Sequence, residues 1–347
     1  CLFMRTLVIG DIHVSNKDAF LRLAQEECIK KIYDKEKPDE VIQLGDFLDF
    51  RKPSPEALLT AKSIIDHWRK LSGVYILRGN HCASTKADDG ISAMSLFDSP
   101  PNQKLLPYSR DRDHIVKIIT HTWYDHRTKR AFIPHYENEE KIIHALENCP
   151  RDYTVFGHFG YFGCLNSVGD HDFDININSF RNDTILGHIH RQNQRIFTYE
   201  EQEKQVLILG TPYTTNFGES GKDNFYAIIE DGEITLHQIN HGPRHLMVNN
   251  SDISERLDEI NDKNYQTYLR ILLNPGEAQC SLDGVNVHSV DIKYTSAFNE
   301  EEVSNYRPNR DLFRLNDVVI EDYIDSANAS IEKDKLLEGY NLLKYEH

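Results

Sequence analysis

Seven side chains in this sequence have the types and spacing to hold divalent cations: Asp11, His13, Asp46, Asn80, His158, His188 and His190. They occur in five short stretches, Gly10-Asp11-Ile12-His13, Gly45-Asp46, Gly79-Asn80-His81, Gly157-His158 and Gly187-His188-Ile189-His190. Carboxylate and amide oxygens mixed with imidazoles suit manganese, iron or zinc, and disfavour an all-oxygen calcium or magnesium cage. Seven ligands are too many for one ion and suit two ions that share a bridging carboxylate. Two ions about 3.5–4 Å apart clamp the attacking and leaving oxygens of an in-line phosphoryl displacement. A single Asp-x-His arises by chance; five Gly-linked stretches in this order do not.

Each stretch follows a short apolar run that reads as a buried strand: Leu7–Ile9, Val41–Leu44, Val74–Arg78, Tyr153–Phe156 and Thr184–Leu186. In open α/β sheets, ligands collect outside the carboxyl ends of the strands, so five strand ends would bring all seven groups to one rim. Helical spacing runs from Asp18 to Lys35, with apolar Phe20, Leu23, Ala24, Ile29, Ile32 and Tyr33, and again over Leu58–Leu71 and Glu137–Glu147. Residues 82–104 read as a polar loop with Met94, Leu96 and Phe97 as an anchor. Further strands are expected at His114–Thr120 and Arg130–Pro134. Two hairpins, Arg195–Tyr199 with Gln205–Leu209 and Phe225–Ile229 with Thr235–Ile239, would complete a second sheet. His121, His126, His135 and His144 follow no strand–Gly turn and read as structural or surface histidines. Phe159, Tyr161, Phe162, His171 and Phe173 could stack on unpaired bases or simply pack. Arg51, Lys52 and Arg191 lie near ligand stretches, where they could touch phosphates or remain solvated.

The order of these motifs resembles the calcineurin-like metallophosphoesterases. Within them the chain looks most like the SbcD-type nuclease subunit of large tailed phages, through Gly45-Asp46-Phe47-Leu48-Asp49-Phe50-Arg51-Lys52-Pro53-Ser54 and through Gly210-Thr211-Pro212-Tyr213 ahead of Asn216-Phe217-Gly218-Glu219. The resemblance implies an α/β sandwich of two mixed sheets flanked by helices, with a small cap and a C-terminal helical tail. It implies two divalent metal ions, manganese foremost: one held by Asp11, His13, Asp46 and His190, the other by Asp46, Asn80, His158 and His188, with Asp46 bridging. His81 takes the place of the family's transition-state residue, donating to the phosphate or the leaving 3′ oxygen. The nucleophile would be water activated by the ions, with no covalent enzyme intermediate. One departure stands out. An acidic residue usually follows Gly-Asn-His, and here it is Cys82, so Asp49, Asp88 or Asp89 would have to orient His81; alternatively Cys82 is itself a zinc ligand.

The chain of 347 residues, 39% hydrophobic, is long enough for one large α/β domain with appendages. The expected partition is a nuclease domain over 1–243, a reduced DNA-guiding cap over 244–308 and docking helices over 309–347. In the cap, Ile253–Ile260 reads as a short helix and Tyr268–Leu273 and Val285–Lys293 as strands. The stripe of Val318, Val319, Tyr323, Ile324, Leu336, Leu337, Tyr340 and Leu343 reads as a docking face, which the resemblance assigns to an SbcC-type coiled-coil ATPase. A homodimer is the family's habit. No stretch approaches 18 consecutive apolar residues, so no membrane span is expected. Residues 1–3 read as an upstream extension. The six cysteines show no framework spacing and read as reduced thiols in a bacterial cytosol. A net charge of −16 argues against a chain that grips DNA alone, because phosphate neutralisation supplies most non-specific affinity. The reading is therefore a manganese-dependent exonuclease and endonuclease subunit that acts on duplex ends, single strands and hairpins beside an ATPase. Its rivals are a phosphodiesterase or phosphatase acting on nucleotides or phosphoproteins, and a non-catalytic scaffold.

Overall fold

A computed structural model describes residues 4–99, 115–164, 173–278 and 281–295. The chain divides into two units, Cys1–Leu273 with Glu277–Tyr294, and Asn274–Gly276 with Thr295–His347. The secondary structure among the described residues belongs to the first. The helices expected over 309–347, the extension over 1–3 and His171 lie outside the described residues.

In chain order the elements begin β1 (Thr6–Ile9), α1 (Ala19–Glu36), β2 (Glu40–Gln43), α2 (Pro55–Trp68), β3 (Gly73–Leu77), β4 (Val116–Ile119), β5 (Trp123–Asp125), β6 (Arg130–Ile133), α3 (Glu139–Glu147), β7 (Thr154–His158) and β8 (Thr184–Gly187). The hairpin strands β9 (Asn193–Tyr199) and β10 (Gln202–Ile208) follow, then β11 (Phe225–Glu230) and β12 (Glu233–Gln238). The rest are β13 (Gly242–Asn249), α4 (Leu257–Ile260), β14 (Tyr265–Leu273) and β15 (Ser289–Tyr294). One six-stranded sheet has the order β12-β11-β1-β2-β3-β4, a second β5-β6-β7-β8-β10-β9, and a three-stranded sheet β13-β14-β15. The strands that carry ligands run parallel, so their carboxyl ends share one edge. Both large sheets are mixed, the first antiparallel at its β11–β12 end and the second at both ends.

The second hairpin corrects the sequence reading. β11 pairs antiparallel with β1, Leu7 opposite Ile228, so β11 and β12 extend the first sheet rather than the second. Alternation of apolar residues could not decide this, because both sheets offer an edge of the same apolar character.

Period-two alternation on β1 to β3 builds the layers. Leu7, Ile9, Val41, Val74 and Ile76 face the helices, against Ile29, Ile32, Ala61, Ile64 and Trp68. Their neighbours Val8, Ile42, Tyr75 and Leu77 face the second sheet, meeting Phe132, Phe156, Ile185 and Leu207. The outer face of the second sheet is covered by Ile142, Ala145 and Leu146 of α3 together with Phe159 and Phe180. The result is helix, sheet, sheet, helix. Asp18 caps α1 through Leu21 N, and Lys37 ends it in a left-handed conformation. Ser54 caps α2, with Pro55 in the first turn, so that helix starts three residues before its apolar spacing begins. On α1 the expected stripe is only partly used: Ile29, Ile32 and Tyr33 are buried, while Phe20 and Leu23 are exposed.

All three strands of the small sheet are parallel, and Leu246, Val248, Leu269 and Ile271 pack beneath Ile253 and Ile260. β13 runs across the expected boundary at residue 243 and has no counterpart in the sequence reading. Among the described residues no helix joins β14 to β15. Four cysteines, Cys28, Cys82, Cys149 and Cys164, are free and buried.

The two large sheets are tied by a buried ion pair between Arg130 on β6 and Glu40 on β2, with Arg130 also donating to Thr6 Oγ1 at 3.0 Å. Removing one member of such a pair strands a charge in the core. Arg130→Ala should therefore cost about 3–5 kcal/mol in urea unfolding. The double replacement Arg130→Met with Glu40→Leu should recover most of that loss, and a double variant no more stable than the single one would contradict this account.

Candidate metal centre

The first sheet delivers Asp11 and His13 from the end of β1, Asp46 from β2, and Asn80 and His81 from β3. The second delivers His158 from the last position of β7, and His188 and His190 after β8. Both sets meet at one rim. Asp11, His13 and His190 place a ligand atom each within 4.8 Å of one another, and so do Asp46, His158 and His188. Asn80 Oδ1 lies 3.1 Å from His158 Nε2 and 3.0 Å from His188 Nδ1, which adds it to the second group. Asp46 Oδ2 stands 3.3 Å from His158 Nε2 and 3.9 Å from His13 Nε2, between the two groups.

The glycines before the ligands have a steric reason. A Cβ on Gly79 would fall 2.1 Å from Asp46 Oδ1, one on Gly187 2.5 Å from Asp11 Oδ1, and one on Gly45 2.2 Å from the His158 ring. Each glycine thus vacates the space that another strand's ligand occupies. Three ligands also sit in the left-handed region: His13 at φ 47°, Asp46 at φ 48° and His188 at φ 78°. Such a conformation costs on the order of 1–3 kcal/mol per residue and persists where surrounding bonds over-determine it.

Those bonds are present. Asp11 accepts from His188 N at 3.1 and 2.9 Å, and Asp46 Oδ1 accepts from His81 N at 2.7 Å. His158 Nδ1 donates to Leu44 O at 2.8 Å, which turns Nε2 toward Asp46. His190 Nδ1 donates to Glu219 Oε1 at 2.6 Å, which turns its Nε2 to face His13 Nε2 at 3.0 Å. Glu219 is itself buried and accepts from Thr215 N and Oγ1 and from Asn216 Nδ2. A carboxylate behind a ligating imidazole fixes its tautomer and raises its basicity.

The electrostatics suit cations. Burial pushes the Asp11 carboxyl up. Burial acts on Asp46 in the same direction, but the imidazoles of His158, His13 and His81 outweigh it and hold that carboxyl well below the usual range. His158 is buried too, yet Asp46 and Asp11 push it up to about 9. Burial drives His13 well below its ordinary value and keeps it neutral. Two buried carboxylates and several imidazoles with lone pairs turned inward form a donor set that a divalent cation on each side of Asp46 would fill.

His81 Nδ1 donates to the backbone oxygen of Asp49 at 2.6 Å. The orienting group for His81 is thus a main-chain carbonyl. Asp88 accepts from Glu137 N and Asn138 N, and Asp89 binds Ile91 N. Cys82 packs among core residues apart from the ligand groups, and burial pushes its thiol up to about 12. Of the three candidate phosphate contacts, Arg51 is paired with Glu137 at 3.1 Å, while Lys52 and Arg191 are exposed.

Asp49, named from the sequence as one of three residues that could orient His81, does so through its main-chain oxygen and sets Oδ1 3.9 Å from His13 Nδ1. Two residues near the centre were not identified from sequence. Glu219 lay in a motif noted only for its resemblance. His135, grouped with the structural histidines, buries its ring against His188, stacked at 5.8 Å, and against His158 at 6.1 Å. It follows β6 at the same edge as the ligands, so strand-end position was a signal available without the Gly.

The chain matches the calcineurin-like phosphoesterase family over residues 4–269 and belongs to that family. It is therefore a metal-dependent phosphoester hydrolase by class. No curated protein matches its sequence. Among solved structures it is similar to a conserved uncharacterized protein from Streptococcus pneumoniae TIGR4, described as a predicted phosphoesterase. That match has 10% identity and a TM-score of 0.30, covering 70% of this chain and 92% of that one. It is also similar to the Pseudomonas putida nuclease MPE, with 14% identity and a TM-score of 0.31, covering 67% of this chain and 87% of that one. Neither likeness bears on activity.

At Gly79 and Gly187 the backbone does not require glycine, so alanine tests the steric argument alone. Gly79→Ala should purify folded, by circular dichroism, with its metal content by elemental analysis reduced to one ion or none. Glu219→Gln should weaken metal affinity by about 10–100-fold in calorimetric titration. Stripping the metals should lower the melting temperature, and restoring them at about a hundredfold over Kd should return about 2.7 kcal/mol per occupied site.

Proposed function

We propose that this chain is the nuclease subunit of an SbcCD-like complex, hydrolysing DNA phosphodiesters at double-strand ends with two manganese ions. The observation that carries the hydrolytic part is Asp46, buried, with Oδ2 3.3 Å from His158 Nε2 of its own ligand group and 3.9 Å from His13 Nε2 of the other. Two ions held there would lower the pKa of a bound water and neutralise charge on the phosphoryl oxygens. The mixed oxygen and imidazole donors suit manganese, iron or zinc, and the resemblance to the SbcD branch favours manganese among them.

The protein's own groups account for the remaining steps. The Asp49 carbonyl holds the proton of His81 on Nδ1, which leaves Nε2 as the nitrogen that exchanges a proton with substrate. As imidazolium, His81 donates from Nε2 to the departing oxygen; its main-chain N–H on Asp46 Oδ1 fixes it beside the ions. The DNA substrate is supported by the segments that resemble the SbcD branch. One of them supplies Asp49, and the other supplies the Glu219 that holds His190. The net charge of −16 supports a partner that provides the grip on DNA, which the reading assigns to a coiled-coil ATPase bound by residues 309–347. The three-stranded sheet would serve as the reduced cap that guides the strand.

The test is manganese-dependent nucleotide release from linear duplex DNA, with and without the cognate ATPase and ATP. Release should require manganese and rise with the ATPase. His81→Ala should lower kcat by about 10²–10⁴-fold with both metals retained. Absence of release from any DNA, alongside hydrolysis of bis(p-nitrophenyl) phosphate, would move the chain to a small-substrate phosphodiesterase.

A further inference from the structure

Base contact needs an exposed ring beside the reacting phosphate, and most aromatic candidates from the sequence are not exposed. Phe159, Tyr161 and Phe173 are buried at 0%, 4% and 6% exposure. Phe162 is exposed, and its main chain is anchored to Ile175. Phe50 differs. Its ring is 44% exposed, and it directly follows Asp49, whose carbonyl receives the His81 Nδ1 proton at 2.6 Å.

The loop that carries Phe50 is held firmly to the metal rim. His13 N donates to Asp46 O and Val14 N to Phe47 O, both at 2.9 Å, and Asp49 N donates to Val14 O at 3.3 Å. Val14 and Leu48 form a parallel bridge, and both are buried. These bonds lock residues 46–49 against 13–14, so Phe50 is presented from a fixed backbone. Lys17, on the other strand of this arrangement, is exposed and places its ammonium 6.0 Å from the Phe50 ring centroid. An exposed apolar ring with an ammonium 6.0 Å over it, one residue from the group that orients His81, matches what a nucleotide presents: a base face and an adjoining phosphate.

We infer that Phe50 is the stacking platform for the base of the nucleotide whose phosphodiester is cleaved, with Lys17 beside it on a neighbouring phosphate. This rests on the reading of the substrate as DNA and adds the part of the site that recognises it as a nucleotide. Stacking is tolerant of sequence, because every base has a π-face, so this contact would favour nucleic acid over other phosphodiesters without selecting a base.

The test pairs the protein variant with a change in the base itself. Wild type and Phe50→Leu are compared on one oligonucleotide carrying either a normal terminal nucleotide or an abasic tetrahydrofuran at that position. On the normal strand Phe50→Leu should raise KM about tenfold with kcat little changed, as loss of one stacked base predicts. On the abasic strand the two proteins should be nearly equal. Phe50→Trp should retain wild-type KM on the normal strand. In a His81→Ala background with manganese, 2-aminopurine at the terminal position should be quenched on binding, and Phe50→Leu should abolish the quench. An equal rise in KM on both strands, or a quench that survives Phe50→Leu, overturns the platform and leaves the nuclease reading intact. Failure of wild type to cleave either strand while it hydrolyses bis(p-nitrophenyl) phosphate overturns the nuclease reading, and the platform with it.

Discussion

The structure depends on how closely two sheets can bring their strand ends together. Ligands from both must converge within a few ångströms, and an ordinary side chain at the last strand position would occupy that space. Gly45, Gly79 and Gly187 remove the obstacle, each at the point where a Cβ would strike His158, Asp46 or Asp11. The exchange is reciprocal: a glycine on the first sheet accommodates a ligand of the second, and a glycine on the second accommodates a ligand of the first. Asp46 stands close to both His158 and His13 only because of that fit.

Convergence alone would leave the rings free to turn. Main-chain carbonyls prevent it for His158 and His81, through Leu44 and Asp49, and a buried carboxylate prevents it for His190. The left-handed conformations of His13, Asp46 and His188 point to the same economy. Strain concentrated in the ligands is held by the parallel strands on either side, which are among the most deeply buried segments of the chain. Side chains held this firmly suit a reaction whose catalysis is mostly positioning and charge neutralisation.

Cys82 illustrates how the surroundings decide a residue's part. An acidic residue there could act on His81 only if it reached the ring, and this position points into the core with Phe47, Trp68 and Met94. The work of orienting His81 passes to a peptide carbonyl, which requires no particular side chain at residue 82. His135 shows the converse. It looked ordinary in the sequence, yet the close approach of β6 and β7 sets its ring against two ligands.

The candidate ligand types, the strand before each and the family were legible in the sequence, because a strand end that carries a donor leaves a local pattern: an apolar run, a glycine, then the donor. The two mixed sheets came with the family resemblance. Most of the helices were legible too, since their apolar spacing is likewise local. The relations between segments distant in the chain became visible only in three dimensions. These include β11 pairing with β1 rather than with the second sheet, Glu219 reaching His190, Arg130 meeting Glu40, and Phe50 remaining exposed where Phe159 is covered. The physical reason is the same in each case: a donor, a charge or an aromatic ring has no preference in isolation, and its role is set by which neighbour the fold brings within reach.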